Sequence, residues 1–352
     1  LHYAIAFNVG IVQDQGMSIL LTGAAGFIGY HVATRLLNDG HAVTALDNFT
    51  PYYDLRLKEE RWSRLEARDG FTGHRMDLND RARLLALCDD LQPTRVIHLA
   101  AQPGVRYGID NPQAYVDSNL TGFMNILEAA LAVRVEHLVF ASTSSVYGAN
   151  KAMPFSEHHS AAHPLSLYAA TKRANELLAH SYAHIFKIPM TGLRFFTVYG
   201  PWGRPDMAPQ KFTAAIFAGD PIDVYNGGKM TRDFTFVEDI VEGVVRVTDH
   251  IPVPDESWDP RAPTPDGSGV APFRIFNIGR GAPVELMDFI ATLEKHVGKK
   301  AAINFMPMQE GDVEGTWCDV SALKRAVGYQ PSVSLDEGLA KTVAWFKEYY
   351  RA

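Results

Sequence analysis

Cysteine is nearly absent from this chain. Only Cys88 and Cys318 occur in 352 residues, and neither belongs to a CxxC pair. That excludes a disulfide framework and a thiolate zinc site as sources of stability, and it fits a reduced, cytoplasmic compartment. No block of five or more basic residues occurs, and 33 Lys and Arg against 40 Asp and Glu leave a net charge of −7. The electrostatic footprint of a nucleic-acid or membrane-surface binder is therefore missing. Residues 1–16 hold a modest apolar run but no basic start and no small-residue cleavage site, so they read as neither signal peptide nor membrane span. They are expected to be an extension outside the core. Internal repeats are absent, and the clustered His158, His159 and His163 read as a solvated loop rather than a metal site. What remains, 47% hydrophobic and 21% charged residues, suits a soluble globular protein of about two domains, or one large α/β unit with an attachment.

From residue 18 the chain alternates two periodicities. Residues 18–22 form a short apolar strand candidate, a glycine turn follows, and Ile28, Val32 and Leu36 then recur at helical spacing up to Gly40. Residues 42–46, 95–100 and 137–141 read as further strands, and 113–131 as a helix with Leu120, Met124 and Leu127 on one face. Strand and helix in repeated alternation predict an α/β fold, a Rossmann-type doubly wound parallel sheet. Near Thr197 the pattern changes to shorter elements with frequent proline, and 252–272 is a long turn-rich loop. The reading is a nucleotide-binding domain over 17–196 and a smaller α/β substrate-binding lobe over 197–352. Segments near 234–249 and 273–279 are expected to return to the main sheet.

Gly23, Gly26 and Gly29 lie between the first strand and the first helix. Glycine is needed where the backbone bends sharply and where a pyrophosphate must reach main-chain N–H groups without a Cβ in the way, and the helix that follows offers its positive end. Such a turn alone can bind nothing, but here strand and helix flank it, and Asp47 closes the next strand. A carboxylate there can accept from both ribose hydroxyls and would repel a 2′-phosphate, which favours NAD over NADP.

Tyr168 and Lys172 are four residues apart and share a helical face. A phenol is a poor base near neutrality, and a neighbouring ammonium favours the phenolate. A surface Tyr/Lys pair would look the same. Here, however, the strand over 137–141 runs into Ser142, Thr143, Ser144 and Ser145, hydroxyls at the edge where open α/β sheets bind ligands.

The glycine turn, the ASTSSVYG stretch around Thr143 and the YxxxK motif together resemble the extended short-chain dehydrogenase/reductases. Within them the chain is most similar to the nucleotide-sugar epimerases of the UDP-glucuronate 4-epimerase type. The likeness runs from about Met17 to the C-terminus and includes residues 100–107, 193–206 and 311–313. It implies C4 epimerisation between UDP-glucuronate and UDP-galacturonate through a transient 4-keto sugar, with tightly held NAD. Tyr168 would take the 4-OH proton, Thr143 would bond the 4-oxygen, and Lys172 would hold the nicotinamide ribose. The resemblance also implies cofactor contacts at Phe27, Ile28, Asn48, Asp77, Leu78, Leu99, Ala100, Ala101 and Gln102. UDP contacts would fall at Arg232, at Asp312 for the uridine ribose, and at Tyr225 for uracil. Helices over 113–131 and 164–184 match those of a homodimer interface.

Related dehydratases would carry an acidic pair after the catalytic Thr, and related decarboxylases a Glu at the place of Ser145; this chain has Ser144 and Ser145. Galactose-type epimerases show Asn where Thr197 stands and Arg where Gln309 stands. Oxidising C4 of a glucuronate makes a β-keto acid prone to lose CO2. Ser144, Ser145 and Thr197 are expected to hold its carboxylate out of alignment, with Arg106 or Arg204 supplying charge. Another UDP-sugar 4-epimerase, a UDP-glucuronate decarboxylase and a non-catalytic NAD-binding module stand as the alternatives.

Overall fold

The computed structural model describes residues 17–308 and 314–351. In chain order the first half comprises β1 (Ile19–Thr22), α1 (Phe27–Asn38), β2 (Val43–Asp47), α2 (Leu55–Glu66), β3 (Phe71–Arg75), α3 (Arg81–Leu91) and β4 (Arg95–His98). Two single turns, α4 (Tyr107–Asp110) and α5 (Pro112–Tyr115), precede α6 (Gly122–Ala132), β5 (His137–Thr143), α7 (Leu167–Phe186) and β6 (Met190–Phe195). The second half runs β7 (Thr197–Tyr199), α8 (Ala208–Ala218), β8 (Pro221–Val224), β9 (Thr231–Phe236), α9 (Val237–Asp249), β10 (Phe273–Ile278), β11 (Pro283–Glu285), α10 (Leu286–Val297), β12 (Ala302–Phe305), β13 (Gly315–Thr316), α11 (Ser321–Val327) and α12 (Leu335–Tyr350).

Seven strands form one parallel sheet in the order β10-β6-β5-β4-β1-β2-β3. The central strands are buried along their whole length, as in β1 and β6, because helices cover both faces and leave no side for polar alternation. Strand order reverses between β1 and β4, which opens a crevice at the carboxyl ends of these strands. β10 joins this sheet beside β6 despite coming late in the chain. The remaining strands build two small sheets. β9 pairs with β7, β11 and β13, and β8 pairs with β12. Since Thr143 stands in register with Phe195, and β7 begins at Thr197, the small β9 sheet starts where the carboxyl edge of the large sheet ends.

One expected element differs. The helix read over 113–131 is interrupted: Pro112–Tyr115 is a single turn, Val116–Thr121 is a π-helix, and the regular helix begins only at Gly122. Asn119 explains the widened turn. Its carbonyl accepts from the Asn175 side chain on α7 at 2.6 Å, while its own amide donates to the Gln102 carbonyl and Thr171 hydroxyl and accepts from the Gln102 N–H at 2.8 Å. The bond to α7 draws this carbonyl off the helix axis within the widened turn, and the buried side chain anchors the loop after β4.

Candidate active site

Around the crevice lies a cleft of about 730 Å³ that runs from the glycine turn to the β6–β7 junction. At one end, Gly23 takes φ +78° and packs so closely that a Cβ there would sit 2.7 Å from the Ala100 backbone nitrogen. A Cβ on Gly29 would lie 2.1 Å from the Gly23 carbonyl oxygen, so α1 approaches the turn only because residue 29 has no side chain. Gly26 caps α1 without any side-chain hydrogen bond, which leaves the helix N–H groups open toward an anion. Gly29→Ala is therefore expected to cost about 1–3 kcal/mol by overpacking and to strip co-purified dinucleotide, read by thermal melting and by absorbance of the perchloric-acid extract.

Asp47 is held rigidly at the end of β2. One carboxylate oxygen accepts from the Ala25 N–H at 3.1 Å and the other from the Phe49 N–H at 2.8 Å, and each keeps lone pairs for a diol. A cation also reaches it: Lys58, buried on α2, puts Nζ 3.7 Å from Oδ1. No signal near Asp47 in the chain predicts Lys58, because it arrives from the following helix. Asn48 donates to Asp77 at 2.7 Å, joining the two loops that the sequence assigned to the adenosine end.

The middle of the cleft carries the reactive groups. Tyr168 is the second residue of α7, where Ser166 caps the helix by accepting from the Ala169 N–H at 3.1 Å. The positive end of the helix thus lies beside the phenol. Burial pushes the Tyr168 phenol up, and the Arg204 guanidinium and the Thr143 hydroxyl pull the other way. Lys172, one turn along, is pushed down to about 8 by burial, with Glu176 opposing. Thr143 ends β5, accepts from the Ser145 N–H at 3.2 Å and donates to the Ser145 hydroxyl at 3.2 Å. Behind them a buried network ties β5, β6 and α7 together. Glu176 accepts from Ser142 at 2.6 Å, from Arg173 at 2.6 Å and from Arg194 through both carboxylate oxygens at 2.9 Å. Glu176 was legible as the next four-residue step after Tyr168 and Lys172, but it is absent from the sequence-derived site.

At the sugar end, Ser144, Ser145, Thr197, Arg106, Arg204 and Arg232 line the same cleft, together with Tyr52, Asp206 and Lys211, which sequence reasoning did not single out. All the cofactor residues inferred from the chain, from Gly23 to Gln102, are on its wall. Tyr225 is not. Its ring sits 5.9 Å from the guanidinium of Arg106, which does line the cleft. Gln309, Asp312 and the stretch 311–313 lie outside the described residues. His158 is engaged elsewhere, 3.0 Å from Asp266.

A glycine cradle at a strand-to-helix turn, a fixed carboxylate at the end of the next strand and a Thr/Tyr/Lys set at one sheet edge define a dinucleotide-dependent enzyme acting on a hydroxyl-bearing substrate. More narrowly, the chain belongs to the NAD dependent epimerase/dehydratase family, whose pattern matches residues 19–258. It is 52% identical over 336 residues to a probable UDP-glucuronate 4-epimerase of Rhizobium meliloti, covering 95% of this chain and 98% of that one. UDP-glucuronate 4-epimerase 1 of Arabidopsis thaliana is 46% identical over 345 residues, covering 97% of this chain and 79% of the plant protein. Among solved structures, the UDP-glucuronic acid 4-epimerase of Bacillus cereus in complex with UDP-glucuronic acid and NAD superposes with a TM-score of 0.84 at 35% identity, covering 95% of this chain and all of the other.

Proposed function

We propose that this chain is an NAD-dependent UDP-glucuronate 4-epimerase, interconverting UDP-glucuronate and UDP-galacturonate. The observation that carries the reading is the hydroxyl cluster. Thr143, Ser144, Ser145 and Thr197 converge on the cleft beside Tyr168 and Lys172, and no carboxylate stands in the 143–145 segment. Hydroxyls can receive a uronate carboxylate by hydrogen bonds, whereas an acid there would repel it. The named relatives support the same substrate.

The donor set fits the cofactor. The Gly23–Gly26–Gly29 turn and the uncapped start of α1 would cradle its pyrophosphate, Asp47 its adenosine ribose, and Lys172 its nicotinamide ribose. When bound, NAD supplies reversible oxidation of the sugar C4. Tyr168 takes the 4-OH proton as C4 becomes a ketone and returns it when the alcohol re-forms. Thr143 donates to the 4-oxygen, and the Lys172 ammonium steadies the phenolate. Between the two half-reactions the 4-keto sugar must present its other face while Arg232 keeps the diphosphate in place. Ser144, Ser145 and Thr197 hold the carboxylate so that the C5–C6 bond stays poorly aligned with the ketone.

The test is proton NMR of purified protein with UDP-glucuronate and no added NAD. A growing H4 signal of the galacturonate epimer supports reaction and retained cofactor together; conversion of UDP-glucose alone would move the substrate to neutral sugars. Thr197→Ala is expected to slow epimerisation about tenfold, the worth of one hydrogen bond to a charged group, and to release a decarboxylated UDP-pentose. Unchanged epimerisation with no pentose would remove Thr197 from this role.

The exposed Leu177 and Ile185 on α7 support a homodimer formed through α6 and α7, which light scattering would read as twice the chain mass. No helix among the described residues is long and apolar enough to cross a membrane. Both cysteines are free and buried, which supports a cytoplasmic setting.

A further inference from the structure

Asp206 is an acid inside a cleft read as the seat of an anionic sugar, and its placement is too well determined to be incidental. Its two oxygens face the Arg204 guanidinium edge-on: Nε donates to Oδ1 at 3.0 Å and Nη2 donates to Oδ2 in a second, shorter bond. Tyr52 adds a third donor, its hydroxyl reaching Oδ2 at 3.1 Å, and the Tyr52 ring lies 5.6 Å from the guanidinium carbon. Tyr52 is itself fixed. It packs edge-on against Tyr107 at 5.1 Å, and its hydroxyl presses on Gly104, where a Cβ would come within 2.3 Å of it. Three loops, after β2, β4 and β7, are thereby joined around one carboxylate at the rim of the sugar pocket.

We propose that Asp206 is a specificity-determining positioning residue that neutralises Arg204, so that the pocket holds a uronate carboxylate without locking it. The inference rests on the epimerase reading above. The edge of a guanidinium formed by Nε and Nη2 matches a carboxylate in two parallel bonds, and Asp206 already occupies it. A substrate carboxylate therefore meets the remaining donors of a pair whose net charge is near zero. That matters because the carboxylate at C5 adjoins the carbon being inverted. When the 4-keto sugar turns over, the carboxylate must leave one set of partners for another. A full, desolvated ion pair to Arg204 would tighten binding and hold the ring in one orientation.

The test compares wild type with Asp206→Asn, which keeps shape and acceptor but removes charge, and with Asp206→Glu, which restores the charge. Affinity for UDP-glucuronate and for UDP-glucose is measured by calorimetry on NAD-loaded protein, and kcat for UDP-glucuronate by NMR. Asp206→Asn is expected to tighten UDP-glucuronate about tenfold, to leave UDP-glucose within about twofold, and to lower kcat about tenfold. Asp206→Glu returns all three toward wild type. A damaged pocket cannot produce tighter binding of one substrate alone. Tyr52→Phe, which removes only the phenol bond to Asp206, gives a smaller change in the same direction and serves if Asp206→Asn fails to fold. Equal weakening of both sugars, equal tightening of both, or tightening that persists in Arg204→Met/Asp206→Asn would overturn the proposal. The wild-type NMR assay separately reads the epimerase assignment: without the galacturonate product that assignment fails, while the two affinities still report on Asp206.

Discussion

Tyr168→Phe is expected to lower kcat for epimerisation roughly a thousandfold while the protein keeps its NAD and its KM shifts by no more than a few fold. The substitution removes one oxygen from a half-buried ring whose packing, edge-on against Tyr115 at 6.3 Å, is otherwise untouched. Of the α7 residues, Tyr168 and Lys172 line the cleft. Lys172 lies a turn further along and is itself a cation until it releases its proton near the value of about 8 to which burial brings it. That sets the direction of the pH profile. Burial pushes the Tyr168 phenol up, so it does not ionise ahead of Lys172; kcat is expected to fall as pH rises through about 8, where Lys172 becomes neutral and the phenol loses the ammonium that favours its ionisation. Single-turnover NMR of the variant, and of the wild type across pH, reads both effects. A kcat within about tenfold of wild type would mean that Tyr168 is not the group that carries the proton.

The second large effect falls on stability. Glu176 and Arg194 have no exposed side-chain surface, and their paired charges are enclosed between α7 and the β5–β6 edge. Burial pushes the Glu176 carboxyl up, and the Arg194 and Arg173 guanidinium groups more than offset this, leaving it below the ordinary carboxylate range. Glu176→Gln should cost roughly 3–5 kcal/mol, because it strands the Arg194 charge in the interior. Replacing both partners, as in Glu176→Leu/Arg194→Met, should recover much of that loss, since an apolar pair of similar volume carries no desolvation cost. Urea unfolding of the three proteins decides it. If the single variant loses less than about 1 kcal/mol, the pair behaves as a solvated surface bridge and the network is not what braces α7.

The parts of this fold and cleft that could be read in the chain are those written locally. The glycine turn, Asp47 at the end of β2, the hydroxyls after β5 and the Tyr168–Lys172 spacing each sit within one strand–loop–helix unit. Period and residue type fix such features before any tertiary contact exists. Apart from Glu176, which continues the Tyr168–Lys172 spacing along α7, the missed features are meetings between separate elements. Lys58 reaches Asp47 from α2, Tyr52 and Asp206 find each other across 154 residues, and the Asn119 carbonyl is diverted by Asn175 on another helix. The last of these also broke the one helix that periodicity had drawn as continuous. Leu120, Met124 and Leu127 keep their helical spacing, but nothing in that spacing reports that a carbonyl one residue earlier is committed elsewhere. Tyr225, expected at the uracil from residue type and resemblance, meets Arg106 across the chain, a contact that no local pattern announces.

The position of β10 bears on how the polypeptide is made. It closes the outer flank of β6, yet it is specified only after β7, the elements from α8 to α9 and the long loop beyond Asp249. During synthesis the β6 backbone therefore emerges with one side unpaired and stays so until the loop has cleared the ribosome. A bare strand edge in that interval, from a strand built to be buried, is a template for pairing with another nascent copy. Growth temperature and chaperone supply should thus govern the yield of this protein more than the stability of the finished molecule does.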